Sequence, residues 1–149
     1  MISFPRRVRA GLLLLVLLVG AGCIASTPPV FKLLVDDAAV DGYQAAYCWR
    51  STCVDGVPPQ YGAADYIMLP AGAPIRLNLE TPLPDALNLA LRAEPFGTDL
   101  ASTQLSPAER EVSWEAGLDP GRYVLVASAK WSNGDALYFF AVEIAAAAP

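Results

Sequence analysis

The chain has 149 residues, of which 54% are apolar, with 10 basic and 15 acidic side chains, three cysteines and no histidine. The missing histidine excludes Ser/His/Asp and Cys/His catalytic relays and histidine-ligated metal sites. An acidic chain of this kind does not favour nucleic acid or anionic lipid headgroups as partners.

The first 22 residues have the pattern of an export signal. Three arginines within residues 1–9 precede an apolar stretch over residues 10–21, and this stretch is too short for a helix of roughly 20 apolar residues that would span a bilayer. Without residues 1–22 the chain has 127 residues and 7 basic against 15 acidic side chains, a net charge of −8. This length predicts one acidic domain.

The segment Val19-Gly20-Ala21-Gly22-Cys23 resembles the lipobox of bacterial lipoproteins, with Gly20 in the place where that family usually has leucine. The resemblance implies that Cys23 becomes the first mature residue and carries the lipid, including palmitate. It also implies that the protein is held on the extracytoplasmic side of the cell membrane. Several acyl chains would anchor it firmly, because each buried methylene contributes about 0.8 kcal/mol.

The signal would be followed by a short tether over residues 23–29. Seven extended residues reach at most about 25 Å, so the domain predicted for residues 30–144 would lie close to the membrane. The Ala-rich residues 145–149 are expected to form a disordered tail.

Short β-rich runs alternate with turn residues from Val30 onward. Pro74–Glu80 has the clearest alternation of apolar and polar residues, and Asn133-Gly134 is the residue pair most typical of a tight hairpin turn. The sequence predicts an all-β domain of about 7–8 strands, with strands over residues 30–36, 43–49, 66–69, 74–80, 86–94, 121–131 and 135–144.

The segment Leu118-Asp119-Pro120-Gly121-Arg122-Tyr123 resembles the tyrosine corner of immunoglobulin-like and fibronectin-type domains. The resemblance implies an immunoglobulin-like antiparallel β-sandwich, with corner residues Leu118, Pro120, Gly121 and Tyr123. In such a corner the tyrosine hydroxyl bonds to upstream backbone where the chain crosses between sheets. Leu125 stands where immunoglobulin domains have the second cysteine of their inter-sheet bridge, so that bridge is absent.

Cys48 and Cys53 enclose four residues and are expected to form a structural disulfide in an exported protein. Their spacing is not the Cys-x-x-Cys of thioredoxin-type redox sites, and a zinc site would lack ligands. A loop of this size contributes about 2 kcal/mol by the chain-entropy estimate.

Trp49 and Arg50 lie at or near the tip of this loop and are candidate binding residues, because Trp and Arg are enriched at binding hot spots. The alternative is that Trp49 packs over the disulfide or into the sheet while Arg50 is solvated. The segment Gly42–Trp49, together with Cys53–Gly56 and Trp131–Tyr138, is similar to short exported bacterial domains that have no assigned activity.

Other polar clusters are interpreted as structural. Asp36, Asp37, Asp41 and Asp55 match no EF-hand spacing and suit turns. Ser128 and Lys130 would lie on a solvated strand face, and the glutamates at 109, 111 and 115 are expected on the surface. We therefore expect neither cofactor nor metal.

The leading hypothesis is a membrane-anchored, non-enzymatic binding or structural module for an extracytoplasmic protein or glycan. One alternative is an inhibitor of secreted proteases that presents the Cys48–Cys53 loop or the Val54–Ala64 loop, because a rigid loop loses little entropy on binding. Another is a carbohydrate-binding module that uses Trp49, Trp131 and Tyr138.

Overall fold

The computed structural model describes residues 26–147, and the predicted export signal and Cys23 lie outside this range. Two sheets pack as a sandwich, which confirms the predicted fold class. The described range contains eleven strands, more than the predicted 7–8: β1 (Phe31–Val35), β2 (Ala38–Asp41), β3 (Tyr43–Trp49), β4 (Thr52–Val54), β5 (Ile67–Leu69), β6 (Ile75–Leu79), β7 (Ala86–Arg92), β8 (Asp99–Leu105), β9 (Glu111–Trp114), β10 (Gly121–Trp131) and β11 (Gly134–Ile144).

The four-stranded sheet has the order β2-β1-β6-β9, and the seven-stranded sheet has the order β4-β3-β11-β10-β7-β8. The seventh strand, β5, runs parallel to the end of β11. The orders β1-β6-β9 and β7-β10-β11 correspond to strands A-B-E and C-F-G of the immunoglobulin arrangement. The strand order therefore agrees with the immunoglobulin-like topology that the sequence predicted.

Alternating apolar residues build the core between the sheets. In β6 the side chains of Ile75, Leu77 and Leu79 are buried, whereas Arg76 and Asn78 between them are half-exposed. The same period places one face of β10 and β11 inward. The largest fully buried side chains include Phe31, Leu33, Leu77, Leu89, Leu125, Tyr138 and Phe140.

Gly42 forms the corner at which the chain passes directly from β2 in one sheet to β3 in the other. Its N–H donates to the carbonyl of Phe31 at 2.9 Å. A Cβ at this position would lie 2.5 Å from the ring of Phe140, so the close approach requires glycine. The acidic run 36–41, predicted as a turn, is a turn only at Asp36 and Asp37, because Ala38–Asp41 pair with β1 as a strand.

The predicted tyrosine corner is present. The hydroxyl of Tyr123 donates to the carbonyl of Asp119 at 2.9 Å. The connection that carries Asp119 leads from β9 in the four-stranded sheet to β10 in the seven-stranded sheet. The hydrogen bond therefore fixes a crossover between the sheets.

Both ends of the predicted domain extend beyond its expected limits. Pro28 and Pro29, assigned to the tether by the sequence, are buried against the sandwich. Ala145, assigned to the disordered tail, donates its N–H to the carbonyl of Leu69 at 2.9 Å. Backbone and apolar contacts of this kind were not visible in the composition of either segment.

Candidate binding surface

The Cys48–Cys53 disulfide predicted from the sequence is formed. The two cysteines lie directly opposite each other on β3 and β4, and both are exposed. Arg50 occupies the turn between these strands with a φ of 57°, and its N–H donates to the carbonyl of Asn133 at 2.8 Å. We call β3, β4 and this turn the stapled hairpin.

Trp49 belongs to the core and not to an exposed recognition surface. Its side chain is 2% exposed and meets Trp131 edge to face, with ring centroids 5.2 Å apart. The alternation of β3 points Trp49 inward, where it faces the backbone of Gly134 on β11. Of the two candidate binding residues, Arg50 alone is exposed.

Trp131 and Tyr138, offered as sugar-stacking residues, are also buried, at 4% and 0% exposure. The indole N–H of Trp131 donates to the carbonyl of Pro82 at 2.8 Å. The hydroxyl of Tyr138 donates to the carbonyl of Pro29 at 2.5 Å and accepts from the amide of Gln44 at 3.2 Å. These side chains satisfy their polar groups within the domain, and the proposed sugar-binding set is wrong for this fold.

The loop between β4 and β5 lies along the outer face of the seven-stranded sheet. The backbone of Gly56 approaches the carbonyl of Ala45 so closely that a Cβ would collide with it, and the hydroxyl of Tyr43 donates to the carbonyl of Val57 at 3.2 Å. Tyr61 packs on a second apolar cluster, made by Ala45, Val124, Val126 and Phe139. The loop thus covers the sheet, whereas an inhibitory loop would project from it.

A groove of about 370 Å³ separates this loop from the β7–β8 hairpin. We call it the outer-face groove. Its walls carry the most exposed large apolar side chains of the described residues, Phe96 at 75% and Val57 at 74%. The lining is mainly aromatic, aliphatic and proline, and includes Val57, Pro58, Pro59, Tyr61, Tyr66, Pro95, Phe96 and Val124.

Tyr61 gives the groove an unused hydrogen-bonding group. Its hydroxyl is buried and has no partner among the described residues. Burial raises the pKa of Tyr61 to about 12, with smaller contributions from Tyr43, Tyr66 and Asp65. The group therefore stays neutral at physiological pH and keeps its proton as an unused donor.

Arg122 places a positive charge against the aromatic wall of the groove. Its guanidinium lies 5.0 Å from the ring centroid of Tyr66, and its Nε donates to Glu143 at 2.8 Å. Tyr66 in turn meets Tyr61 edge to face at 6.3 Å. These contacts fix the position of the Tyr66 ring in the wall of the groove.

The chain enters the sandwich through Pro28 and Pro29, which lead into β1, and we call these residues the entry segment. The entry segment and the outer-face groove lie toward opposite ends of β10 and β11. Next to the entry segment, the ring centroid of Phe31 lies 5.9 Å from that of Trp131 and 4.3 Å from that of Tyr138. Trp131 pairs with Gly134 beside the hairpin turn. In the groove, Val124 pairs with Ala141, near the other end of the same two strands. The stapled hairpin, which pairs with Gly134, is at the entry end.

The remaining polar clusters hold no assembled site. Within residues 26–147, no three Cys, His, Asp or Glu side chains are grouped closely enough to hold a metal ion. Ser128 and Lys130 are exposed on β10, as predicted. Glu111 is exposed, as predicted, and lies on β9, where its carboxylate accepts from Arg76 at 2.7 Å.

Sequence reasoning missed the groove because its walls come from separate parts of the chain. A usable signal was present in Val57-Pro58-Pro59 and Pro95-Phe96, two places where proline adjoins a large apolar residue. Neither of these two segments alone shows that the β4–β5 loop folds back over the sheet.

The described residues include no helix that is long and apolar enough to cross a bilayer. Comparisons of the chain with protein-family models, with curated proteins and with solved structures gave no match.

Proposed function

We propose that this protein is an extracytoplasmic, lipid-anchored binding module without enzymatic activity, and that its ligand occupies the outer-face groove. The observation that carries the proposal is the exposure of both Phe96 and Val57 in the lining of one groove. Paired apolar side chains left open to water on a folded domain are typical of interaction sites.

The disulfide supports the extracytoplasmic part of the proposal. Disulfides persist in oxidising compartments and are rare in the cytosol. Cys48 and Cys53 are bonded and exposed, so a reducing compartment would have ready access to them. Cys23 is the residue proposed to carry the lipid.

The anchor would hold the domain close to the membrane and point the groove away from it. Four residues separate Cys23 from the buried Pro28, and five extended steps reach at most about 18 Å. The chain enters the sandwich near Trp131 and Tyr138, whereas the groove adjoins the opposite end of these strands. A ligand arriving from the extracytoplasmic side would meet the groove first.

The groove lining favours binding over catalysis. Its polar groups are the Tyr61 hydroxyl, the Gln60 amide and the Glu94 carboxylate, and no strained nucleophile turn accompanies them. The protease-inhibitor alternative has less support, because the β4–β5 loop lies along the sheet and the stapled hairpin ends in a two-residue turn.

A photo-crosslinking experiment in intact cells tests this proposal. A photoreactive phenylalanine analogue replaces Phe96, and the matched control places the same analogue at Val40, a 36% exposed position on β2 in the other sheet. The expected result is a discrete adduct from position 96 that is absent from position 40. Equal labelling at both positions, or none at position 96 in folded protein, would contradict a ligand site in the groove.

A further inference from the structure

Strand β8 (Asp99–Leu105) is the outermost strand of the seven-stranded sheet. One side pairs with β7, and within residues 26–147 no strand pairs with the other side. Alternate N–H and C=O groups along its seven residues therefore point away from the sheet without a strand partner.

The other sheet edges are shorter or better protected against pairing with a further strand. β4 has three residues and is joined to β3 by the disulfide. β2 has four residues, ends at the Gly42 corner, and carries the Asp41 carboxylate bonded to Lys32 at 3.1 Å. β9 also has four residues and begins at the charged Glu111.

β8 has one of the features by which edge strands avoid association, a β-bulge at Leu100 opposite the step from Leu91 to Arg92, but it lacks the others. It contains no proline or lysine, and its one charged residue, Asp99, is bonded to Arg92 of the same chain at 2.6 Å. Leu100 on this strand is 51% exposed. A long, nearly uncharged edge with an exposed leucine is a template for another strand.

We propose that β8 pairs antiparallel with β8 of a second copy of this chain. Around a two-fold axis at Ser102, in the regular part of the strand that follows the bulge, Ala101 lies opposite Thr103 of the second copy. No like charges meet in this register. The net negative charge of the chain opposes association of two copies, and β8 adds to it only the Asp99 carboxylate, which is bonded to Arg92.

The pairing would leave the entry segment and the outer-face groove uncovered. The entry segment bonds through Pro29 to Tyr138, whose hydroxyl also accepts from Gln44 on β3, and it therefore lies away from β8. A two-fold axis normal to the sheet turns both outer faces to the same side. The pair then presents two outer-face grooves together, and this inference does not depend on what the grooves bind.

Cysteine crosslinking tests the proposal in the full chain carrying Cys23→Ser, so that no lipid or third native thiol interferes. Ser102→Cys is expected to give a disulfide-linked dimer under mild oxidation, because opposed residues of antiparallel strands lie within disulfide reach. Ser128→Cys, also exposed but two strands inside the edge, is the matched control. Equal crosslinking of both variants would overturn the proposal.

Sedimentation measurements provide a second test that needs no crosslink. We expect a concentration-dependent dimer that is lost in Ser102→Lys, where two lysines would face each other, and retained in Ser128→Lys. Circular dichroism confirms that both variants are folded. A chain that remains monomeric at every concentration, or a dimer unaffected by Ser102→Lys, would overturn the proposal.

Discussion

The ring of Phe31 on β1 stacks on the ring of Tyr138 on β11, with centroids 4.3 Å apart. Both side chains are fully buried, and the contact joins the four-stranded sheet to the seven-stranded sheet. The hydroxyl of Tyr138 also donates a hydrogen bond to the carbonyl of Pro29. One side chain thus links the two sheets and fixes the segment through which the chain enters the domain.

Tyr138→Phe tests this link. The ring stays, but the carbonyl of Pro29 and the amide of Gln44 lose their shared partner, so we expect the free energy of unfolding to fall by about 1–3 kcal/mol. Urea denaturation measures the change. The control is Tyr43→Phe, which removes an exposed hydroxyl bonded to Val57. Equal losses in the two variants would contradict the role given to Tyr138.

Neighbouring substitutions in the stapled hairpin should have opposite effects. Trp49→Ala removes a buried indole and should cost about 3–5 kcal/mol of stability. Arg50→Gly places glycine at a φ of 57°, where it is less strained than arginine, so stability should be unchanged or rise by up to about 1 kcal/mol. Thermal denaturation of both variants checks this. A stable Trp49→Ala variant would show that the indole is not a core residue.

The disulfide should contribute modestly and locally. Cys48→Ser with Cys53→Ser opens a six-residue loop, and we expect a loss of about 2 kcal/mol or less, with faster amide exchange confined to β3 and β4. Non-reducing peptide mapping of protein isolated from cells should recover the two cysteines joined. Recovery of both as free thiols would argue against an oxidising compartment.

Alkaline pH should weaken the domain through its buried tyrosines. Burial raises the pKa of Tyr61 from its ordinary 10.0 to about 12, and burial also raises that of Tyr138. Below pH 10 both states hold these protons and stability does not depend on them. Above pH 10 the unfolded chain releases protons that the folded chain keeps, so the free energy of unfolding should fall as pH rises toward 12.

Tyr61→Phe removes part of this pH dependence and serves as its control. Chemical denaturation at a series of pH values, together with tyrosinate absorbance of the folded protein, measures both effects. An identical alkaline slope in Tyr61→Phe and the unsubstituted chain would show that Tyr61 titrates normally.

The sequence predicted the strands whose pattern is local and strong. The predicted spans 43–49 and 121–131 coincide with β3 and β10. The Asn133-Gly134 pair correctly indicated the hairpin to β11, but the two-residue turn is Ser132-Asn133, and Gly134 already pairs with Trp131. β8 was missed because Asp99–Leu105 mixes small, polar and apolar residues without the runs that mark a half-buried strand. Its strand character comes from pairing with β7.

The candidate site could be predicted only in part. The tyrosine corner and the disulfide depend on residues close in sequence, and both are formed. The burial of Trp49 depends on which face of β3 meets the second sheet, and the groove depends on a loop that packs on β10 and β11. Such long-range contacts leave little trace in a single sequence.

Lipid attachment at Cys23 is the central part of the proposed function, because the anchor would determine where the domain lies and which end faces outward. Membrane fractionation of cells that produce the unsubstituted chain or Cys23→Ala, followed by mass measurement of the amino-terminal peptide, tests it most directly. We expect the unsubstituted chain in the membrane fraction with an acylated Cys23, and Cys23→Ala in the soluble fraction. Equal membrane retention of both chains, with Cys23 unmodified, would contradict the account.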